Sequence, residues 1–274
     1  METAYIQWNV DPEIFSLFGF ISIRYYSLLF FTGLALGYLL VKKYFVDENV
    51  PVDKLDQLAL FIFIGTLLGA RIGHCLFYEP EYFLKHPLEI LLPFRDIPGK
   101  GFTFTGFQGL ASHGGAVGVL IAIIIFAKKS KTGLFWVLDR VAVAIPLTGA
   151  CIRLGNLMNS EILGKPAQVS WAFVFNRVDG IPRHPAQLYE ALLYLAIFAL
   201  LVWMFPRHGK TRQQGFTFGV FLTLLFGVRI FVEFFKENQV GFEESLFINM
   251  GQILSIPFVI AGLVLIVMKF KTES

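Results

Sequence analysis

The chain is poor in the residues that give most proteins a wet surface or a cross-linked interior. Only 16% of its 274 residues are charged and only two are cysteine. Soluble domains carry about 25% charged residues, so a solvated surface of ordinary size is not available. The net charge of +3 comes without a basic face, which argues against a nucleic-acid partner. Cys75 and Cys151 lack CxxC spacing and read as small buried apolar residues rather than a disulfide or a thiolate site. The five histidines, His74, His86, His113, His184 and His208, have no second ligand at helical spacing, so no metal and no other cofactor is expected. There is no internal repeat and no low-complexity tract, which weakens the inverted-repeat architecture of many secondary transporters. No charged n-region with a small-residue cleavage site begins the sequence, so the first apolar span is expected to direct insertion itself.

What is present is apolar. Hydrophobic residues make up 55% of the chain, 31 of them Phe, and the mean hydropathy is +0.64. A helix needs about 20 apolar residues to cross a hydrocarbon core of about 30 Å. Seven stretches qualify, at about 20–41, 57–78, 110–127, 134–151, 187–205, 216–235 and 250–268, the third and fourth being the shortest. The expected fold is an all-α polytopic membrane protein of about seven transmembrane helices in one membrane domain, 1–274.

Basic residues give its orientation. Lys42, Lys43 and Lys54 follow the first span, Lys128, Lys129 and Lys131 the third, Arg207, Lys210 and Arg212 the fifth, and Lys269 and Lys271 the seventh. The opposite side has fewer, spread over longer loops: Lys85, Arg95, Lys100, Lys165, Arg177, Arg183 and Lys236. The positive-inside rule then puts the N-terminus outside and the C-terminus in the cytoplasm. The long loops 79–109 and 152–186 are expected to form a small extracytoplasmic cap, with a short strand in VSWAFVF.

Against this background certain polar residues stand in costly places. An Arg at membrane depth costs about 2.5–3.5 kcal/mol on insertion scales, so its default reading is a site facing the bundle interior. Arg71 lies in GARIGH, where Gly69, Ala70 and Gly73 would admit a neighbouring helix; an internal ion pair is its rival role. Arg153 opens RLGNLMNSEILG, with Asn156, Asn159, Glu161 and Gly164. Arg229 and Glu233 in VRIFVEF share a helical face, either as a mutual ion pair or as an arginine held ready for an anion. Convergent arginines suit a lipid phosphate, which guanidinium groups bind with a planar fork of donors. Arg24, Tyr25 and Tyr26 stand at an interface, where an aromatic belt would also explain the tyrosines. His113 in SHGG is a candidate proton acceptor or a structural histidine. In RHPAQLYEA, residues 183–191, helix capping accounts for only part of the Gln, Tyr and Glu inside the fifth span.

Together these segments, IRYYSLLF, GARIGHCLFY, SHGGAVGV, RLGNLMNSEILGKPA, HPAQLYEA and VRIFVEFFKE, give the chain a resemblance to bacterial prolipoprotein diacylglyceryl transferases along almost its whole length. The resemblance implies an inner-membrane enzyme with an extracytoplasmic active face. Its expected partners are phosphatidylglycerol among the membrane lipids and a prolipoprotein signal peptide whose lipobox cysteine receives the diacylglyceryl group. A thioether forms and glycerol phosphate is released. Carried over by motif, Arg153 and Arg229 would bind the phosphate and stabilise the leaving group, with Glu161 and Glu233 orienting them. Asn156 and Tyr26 would hydrogen-bond the head group, and Gly164 would let backbone pass close to a neighbour. Asn159 is retained with them, and Arg71 is the further candidate for the lipid site. His113 matches the family's proposed base, with Tyr26 or the substrate phosphate as alternatives. The signature departs from the usual pattern at Ile152, Leu157 and Lys165. A transporter or flippase for an anionic lipid is the rival, since it too would need buried arginines; a receptor or structural membrane protein would not need RLGNLMNSEILG.

Overall fold

The computed structural model describes residues 5–18, 21–92, 94–97, 101–104, 106, 109–208, 213–237 and 248–270. Of the basic residues that set the expected orientation, Lys100, Lys210, Arg212 and Lys271 lie outside them, as do the side chains of Arg95 and Lys269. In chain order the helices are α1 (Tyr25–Asp47), α2 (Val52–Phe77), α3 (Pro80–Lys85), α4 (Leu88–Leu91), α5 (Ser112–Ser130), α6 (Leu134–Met158), α7 (Ala186–His208), α8 (Phe216–Glu233) and α9 (Met250–Phe270). The strands are β1 (Ile6–Trp8), β2 (Glu13–Leu17), β3 (Ile21–Arg24), β4 (Phe94–Ile97), β5 (Gly101–Phe104), β6 (Phe173–Phe175) and β7 (Pro182–Arg183).

Seven of these helices, all but α3 and α4, are long and apolar enough to cross a membrane, so the chain is a seven-helix membrane protein. Large apolar side chains such as Phe31, Phe63 and Trp203 are exposed along them, as lipid-facing positions require. Two boundaries differ from the sequence expectation. The first span begins at Tyr25 rather than near 20, because Ile21–Arg24 pairs antiparallel with Glu13–Leu17. The fourth continues past its apolar run to Met158, so Arg153 and Asn156 stand in the last turns of α6 and not in the loop. A helix ends where its backbone hydrogen bonds end, and hydropathy marks that place only loosely.

The chain forms two compact units, Met1–Val41 with Leu138–Ser274, and Lys42–Val137. In the first, α1 lies on α6: the Thr148 hydroxyl donates to the Gly33 carbonyl at 3.0 Å, and a Cβ at Gly33 would meet the Cys151 side chain at 3.0 Å. At the start of α6, the fully buried Asp139 accepts hydrogen bonds from the backbone N–H groups of Gly215 (2.7 Å) and Phe218 (2.8 Å). A carboxylate thus satisfies orphan donors at the N-terminus of α8 and meets the positive end of its dipole. The segment VSWAFVF contains β6, the middle strand of a small sheet, with β1 parallel on one side and β7 antiparallel on the other. Its Phe173 and Phe175 pack with Leu157 of α6 and Leu188 of α7, so the sheet is seated on the ends of those helices. The Trp8 indole N–H of β1 donates to the Leu157 carbonyl at 3.0 Å, which also accepts the Ser160 N–H at 3.1 Å, so β1 is tied to the end of α6.

The second unit is built on α2 and α5, which approach at a stripe of glycines. A Cβ at Gly65 would lie 2.6 Å from the Gly118 carbonyl oxygen, one at Gly73 2.7 Å from Gly114 Cα, and one at Gly69 would run into the Gly114 carbonyl oxygen. Such small-residue contacts let helix backbones touch in an apolar solvent that offers no hydrophobic drive between them. The helices α3 and α4 and the β4–β5 hairpin occupy the loop expected at 79–109.

Candidate active site

One end of the first unit gathers charge. The last turns of α6, the first turns of α7, the end of α8 and the turn after α6 contribute to it. Arg153 Nε stands 2.7 Å from Glu190 Oε2, an ion pair whose N–H is not aimed well enough for a hydrogen bond. Glu190, in the second turn of α7, is fully buried. Its other oxygen, Oε1, takes a hydrogen bond at 3.0 Å from the ammonium group of Lys236, itself only 3% exposed. Lys236 also reaches Glu233 Oε2 at 3.5 Å. On the other side, Arg153 Nη1 donates a long bond of 3.4 Å to Asn156 Oδ1. The Asn156 amide donates to Glu161 Oε2 and the Asn159 amide to Glu161 Oε1, each at 3.1 Å. Glu161, expected to orient an arginine, has no direct contact with one among the described residues and is linked to Arg153 through Asn156. A chain of partners therefore runs Glu161, Asn156, Arg153, Glu190, Lys236, Glu233.

Arg229 sits beside this chain. Glu233, four residues on, was the expected partner at helical spacing, but it pairs with Lys236, and its other oxygen lies against Gly251 at the start of α9. Among the described residues Arg229 has neither hydrogen bond nor ion pair, although it is half-buried. The buried Tyr194, one turn beyond Glu190 on α7, lies within electrostatic reach of Glu190, Arg153 and Arg229. Tyr26 joins them from the start of α1: a Cβ at Gly155 would stand 2.8 Å from its Cδ2 and 3.1 Å from its Cα. Only glycine two residues after Arg153 admits that tyrosine.

The turn that presents Asn159 and Glu161 is strained. Ser160 and Ile162 have φ of 54° and 56°, the left-handed region that a β-branched residue rarely adopts. Such residues cost about 1–3 kcal/mol each and persist where the surroundings over-determine them. Here the buried Gln187 amide donates to the Glu161 carbonyl, and the Glu161 N–H returns to the Asn156 carbonyl at 2.9 Å. Beyond it the chain is stitched to the end of α8 by Lys165 N–H to Phe235 O (2.8 Å) and Glu237 N–H to Leu163 O (3.2 Å). Gly164 lies between these stitches, where any Cβ would collide with the His184 carbonyl. Arg183 donates to the Gly164 carbonyl at 3.2 Å and pairs with Asp179 and, at 3.1 Å, with Glu237. The hydrogen bond from Arg183 holds the Asp179 carboxyl below its usual range, and the same bond raises Arg183. Nearby, burial depresses the His184 imidazole, whose Nδ1 lies 3.1 Å from the Tyr189 hydroxyl.

Arg71 and His113 belong to the second unit. Arg71 is buried and donates to the carbonyls of Ile90 (3.1 Å) and Glu89 (2.6 Å), with its guanidinium 4.9 Å from the Phe83 ring centroid. Glu89, also buried, accepts from the Tyr82 hydroxyl at 2.7 Å. His113 is exposed in the first turn of α5 and has no hydrogen bond to a described residue. Among the described residues no group of three His, Cys, Asp or Glu side chains is placed to hold a metal ion.

Sequence reasoning left four members of the cluster unassigned: Gln187, Glu190, Tyr194 and Lys236. The polar surplus in HPAQLYEA signalled the first two. Lys236 had been read as a loop charge, and only the pairing of its backbone with Gly164 turns it inward.

A seven-helix membrane protein with ionised side chains converging at one end of its helices is the class that fold and site define. The chain belongs to the prolipoprotein diacylglyceryl transferase family, whose sequence model matches residues 12–268. It is 52% identical over 258 residues to the phosphatidylglycerol–prolipoprotein diacylglyceryl transferase of Bacteroides fragilis, covering 94% of this chain and 93% of that protein. The protein of the same name from Tolumonas auensis is 47% identical over 268 residues, with 97% and 98% covered. That from Chloroherpeton thalassium is 42% identical over 270 residues, with 98% and 96% covered.

Proposed function

We propose that this chain transfers the diacylglyceryl group of phosphatidylglycerol to the lipobox cysteine of a prolipoprotein, in the bacterial inner membrane and toward its extracytoplasmic side. The observation that carries the reading is the pair Arg153 and Arg229 in the last turns of α6 and α8, Arg153 held by a carboxylate it shares with Lys236 and Arg229 without a partner among the described residues. An unpaired guanidinium beside a largely apolar bundle is costly to keep, and a lipid phosphate relieves that cost. The charge distribution along the sequence, with its basic loops on the other side, supports the extracytoplasmic placement.

In the reaction the cysteine sulfur attacks the glyceryl carbon that bears the phosphate ester. The S–C bond forms as the C–O bond breaks, the oxygen keeps the bonding pair, and glycerol phosphate departs. The thiol proton passes to a base, to which His113 is assigned, or directly to the departing phosphate. Tyr26 is the alternative acceptor. Arg153 and Arg229 neutralise the charge that grows on the leaving oxygen; fixed charges in a dry site do this without reorganising. Tyr26 and Asn156 bond the head group, and Glu161 with Asn159 holds Asn156 in place. Arg71 is left out of the phosphate clamp, since its buried donors are turned to the backbone of α4; it supports the loop instead. Both substrates are membrane-tethered, so they reach the site laterally between helices.

The test is release of glycerol phosphate by purified protein in detergent, given phosphatidylglycerol and a lipobox peptide. Release that requires the peptide cysteine, and is lost with a Cys→Ser peptide, is the expected result. Folded protein that moves phosphatidylglycerol across a vesicle bilayer without cleaving it would instead make the chain a flippase.

A further inference from the structure

The helical spacing of Arg229 and Glu233 calls for an ion pair that the structure does not make. At i and i+4 the two side chains are neighbours on one face. Yet Glu233 turns one oxygen to Lys236 at 3.5 Å and lays the other against Gly251, where the absence of a side chain leaves room for it. The same ammonium group takes Glu190 Oε1 at 3.0 Å. Lys236 therefore engages both carboxylates that flank the arginine pair: Glu190, which holds Arg153, and Glu233, which would otherwise close on Arg229.

Its own position is fixed twice over. The backbone of Lys236 bridges that of Gly164 in an antiparallel pairing, flanked by the bonds of Lys165 to Phe235 and of Glu237 to Leu163. This clamps the residue so that its side chain runs inward to the buried Glu190. With Lys236 on its other oxygen, Glu190 faces two cations with one negative charge, so the Arg153–Glu190–Lys236 group carries a net positive charge.

Accepting the phosphate-clamp reading above, we infer that Lys236 is a positioning residue for transfer: by occupying Glu190 and Glu233 it keeps Arg153 and Arg229 available to the lipid phosphate. It touches no substrate and acts through the two carboxylates. Without it, Glu233 is free to turn to Arg229, and a bound phosphate must compete with an internal anion.

The test is a double-mutant cycle in the full chain, purified in detergent, with glycerol phosphate release followed against phosphatidylglycerol concentration. Lys236→Met is expected to raise KM for phosphatidylglycerol about tenfold or more and to lower kcat less, because a charge-assisted contact made to the bound lipid is weakened. Lys236→Arg keeps the cation and is expected to stay within a few-fold of wild type. The pair K236M/E233Q is expected to lose less relative to E233Q than Lys236→Met loses relative to wild type, since the anion that would close on Arg229 is gone and only the Glu190 half of the effect is left. Should Lys236→Met not fold, the double variant, which leaves no carboxylate orphaned at position 233, is compared with E233Q in its place. An unchanged KM in folded Lys236→Met, or losses that multiply in the double variant, would overturn the inference. Arg229→Ala in the same assay separates the two levels. If it retains transfer, the clamp itself is wrong; if it loses transfer while Lys236→Met does not, only the role of Lys236 is wrong.

Discussion

Each of the two units holds an arginine in a largely apolar segment, and each treats it differently. In Lys42–Val137 the Arg71 guanidinium is turned to the Glu89 and Ile90 carbonyls and laid on Phe83, so that its charge serves to fasten α4 to α2. In the other unit Arg153 shares a carboxylate with Lys236 and makes only a long bond to Asn156, while Arg229 is unpaired among the described residues. Glycines bring helix backbones together in both, α2 to α5 at Gly65, Gly69 and Gly73 and α8 to α9 at Gly219 and Gly262, and the charged unit adds the strained turn at Ser160 and Ile162. An apolar sequence context is common to both arginines; the identity of the acceptor is what separates Arg71 from the proposed lipid-binding pair. Carbonyls already in place complete an arginine, and a shared carboxylate leaves it unfinished.

The largest effect expected from this contrast is at Arg229. Arg229→Ala should reduce transfer by about 10²–10³-fold or more, the range for removing one donor of an oxyanion-stabilising set, while membrane insertion and thermal stability in detergent stay near wild type. Arg71→Ala should do the reverse in kind. It leaves the Glu89 and Ile90 carbonyls without the Arg71 donor, so the midpoint of thermal unfolding should fall by the cost of unsatisfied buried acceptors, about 1–3 kcal/mol each, and activity should fall only with the folded fraction. An Arg71→Ala protein of unchanged stability and abolished transfer would erase the contrast and return Arg71 to the lipid site.

Next in size is the glycine stripe. Gly69→Val should push α2 from α5 and cost several kcal/mol by overpacking, at the upper end of about 1–3 kcal/mol or beyond, read as a lower unfolding midpoint. Gly164→Ala tests the other unit with the smallest side chain that collides: transfer should be lost at a stability cost smaller than that of Gly69→Val, because the displaced backbone is the one that bridges Lys236. The smallest effect belongs to His184. Burial lowers its affinity for a proton in the folded chain, so its contribution to stability is complete above the ordinary histidine range near 6.5 and declines as pH falls through the lower folded value. The unfolding midpoint should drop as pH falls from above the ordinary histidine range to below it, and His184→Gln should flatten that slope.

The seven helices were legible because about 20 apolar residues have few other uses, and β6 because aromatic and β-branched residues cluster in it. The end of α6 was not, since a helix can carry polar residues past its apolar run. The partner of β6 was out of reach as well: β1 is more than 160 residues away in sequence, and nothing local in IQW announces it. At the site, Arg153, Asn156 and Glu161 could be read from one contiguous motif. Lys236 and Arg183 could not, because a cation in a loop looks solvated until the backbone that buries it is known. The predicted Arg229–Glu233 pair failed for a related reason: spacing identifies who can meet, and a nearer competitor, Lys236, decided who did.

Asp139 carries a mechanical meaning beyond the capping of α8. It lies on α6 some fourteen residues before Arg153, about 21 Å along the axis, and it pins α8 about 16 Å before Arg229. The two helices are joined like the arms of tongs, pivoted at Asp139, with the guanidinium groups at the tips. A one-residue slip at the pivot would slide one tip by about 1.5 Å, enough to spoil a hydrogen bond to a phosphate oxygen. The gap proposed to grip the lipid is thus measured from the opposite end of the helices, by a ruler that the surrounding bilayer does not hold.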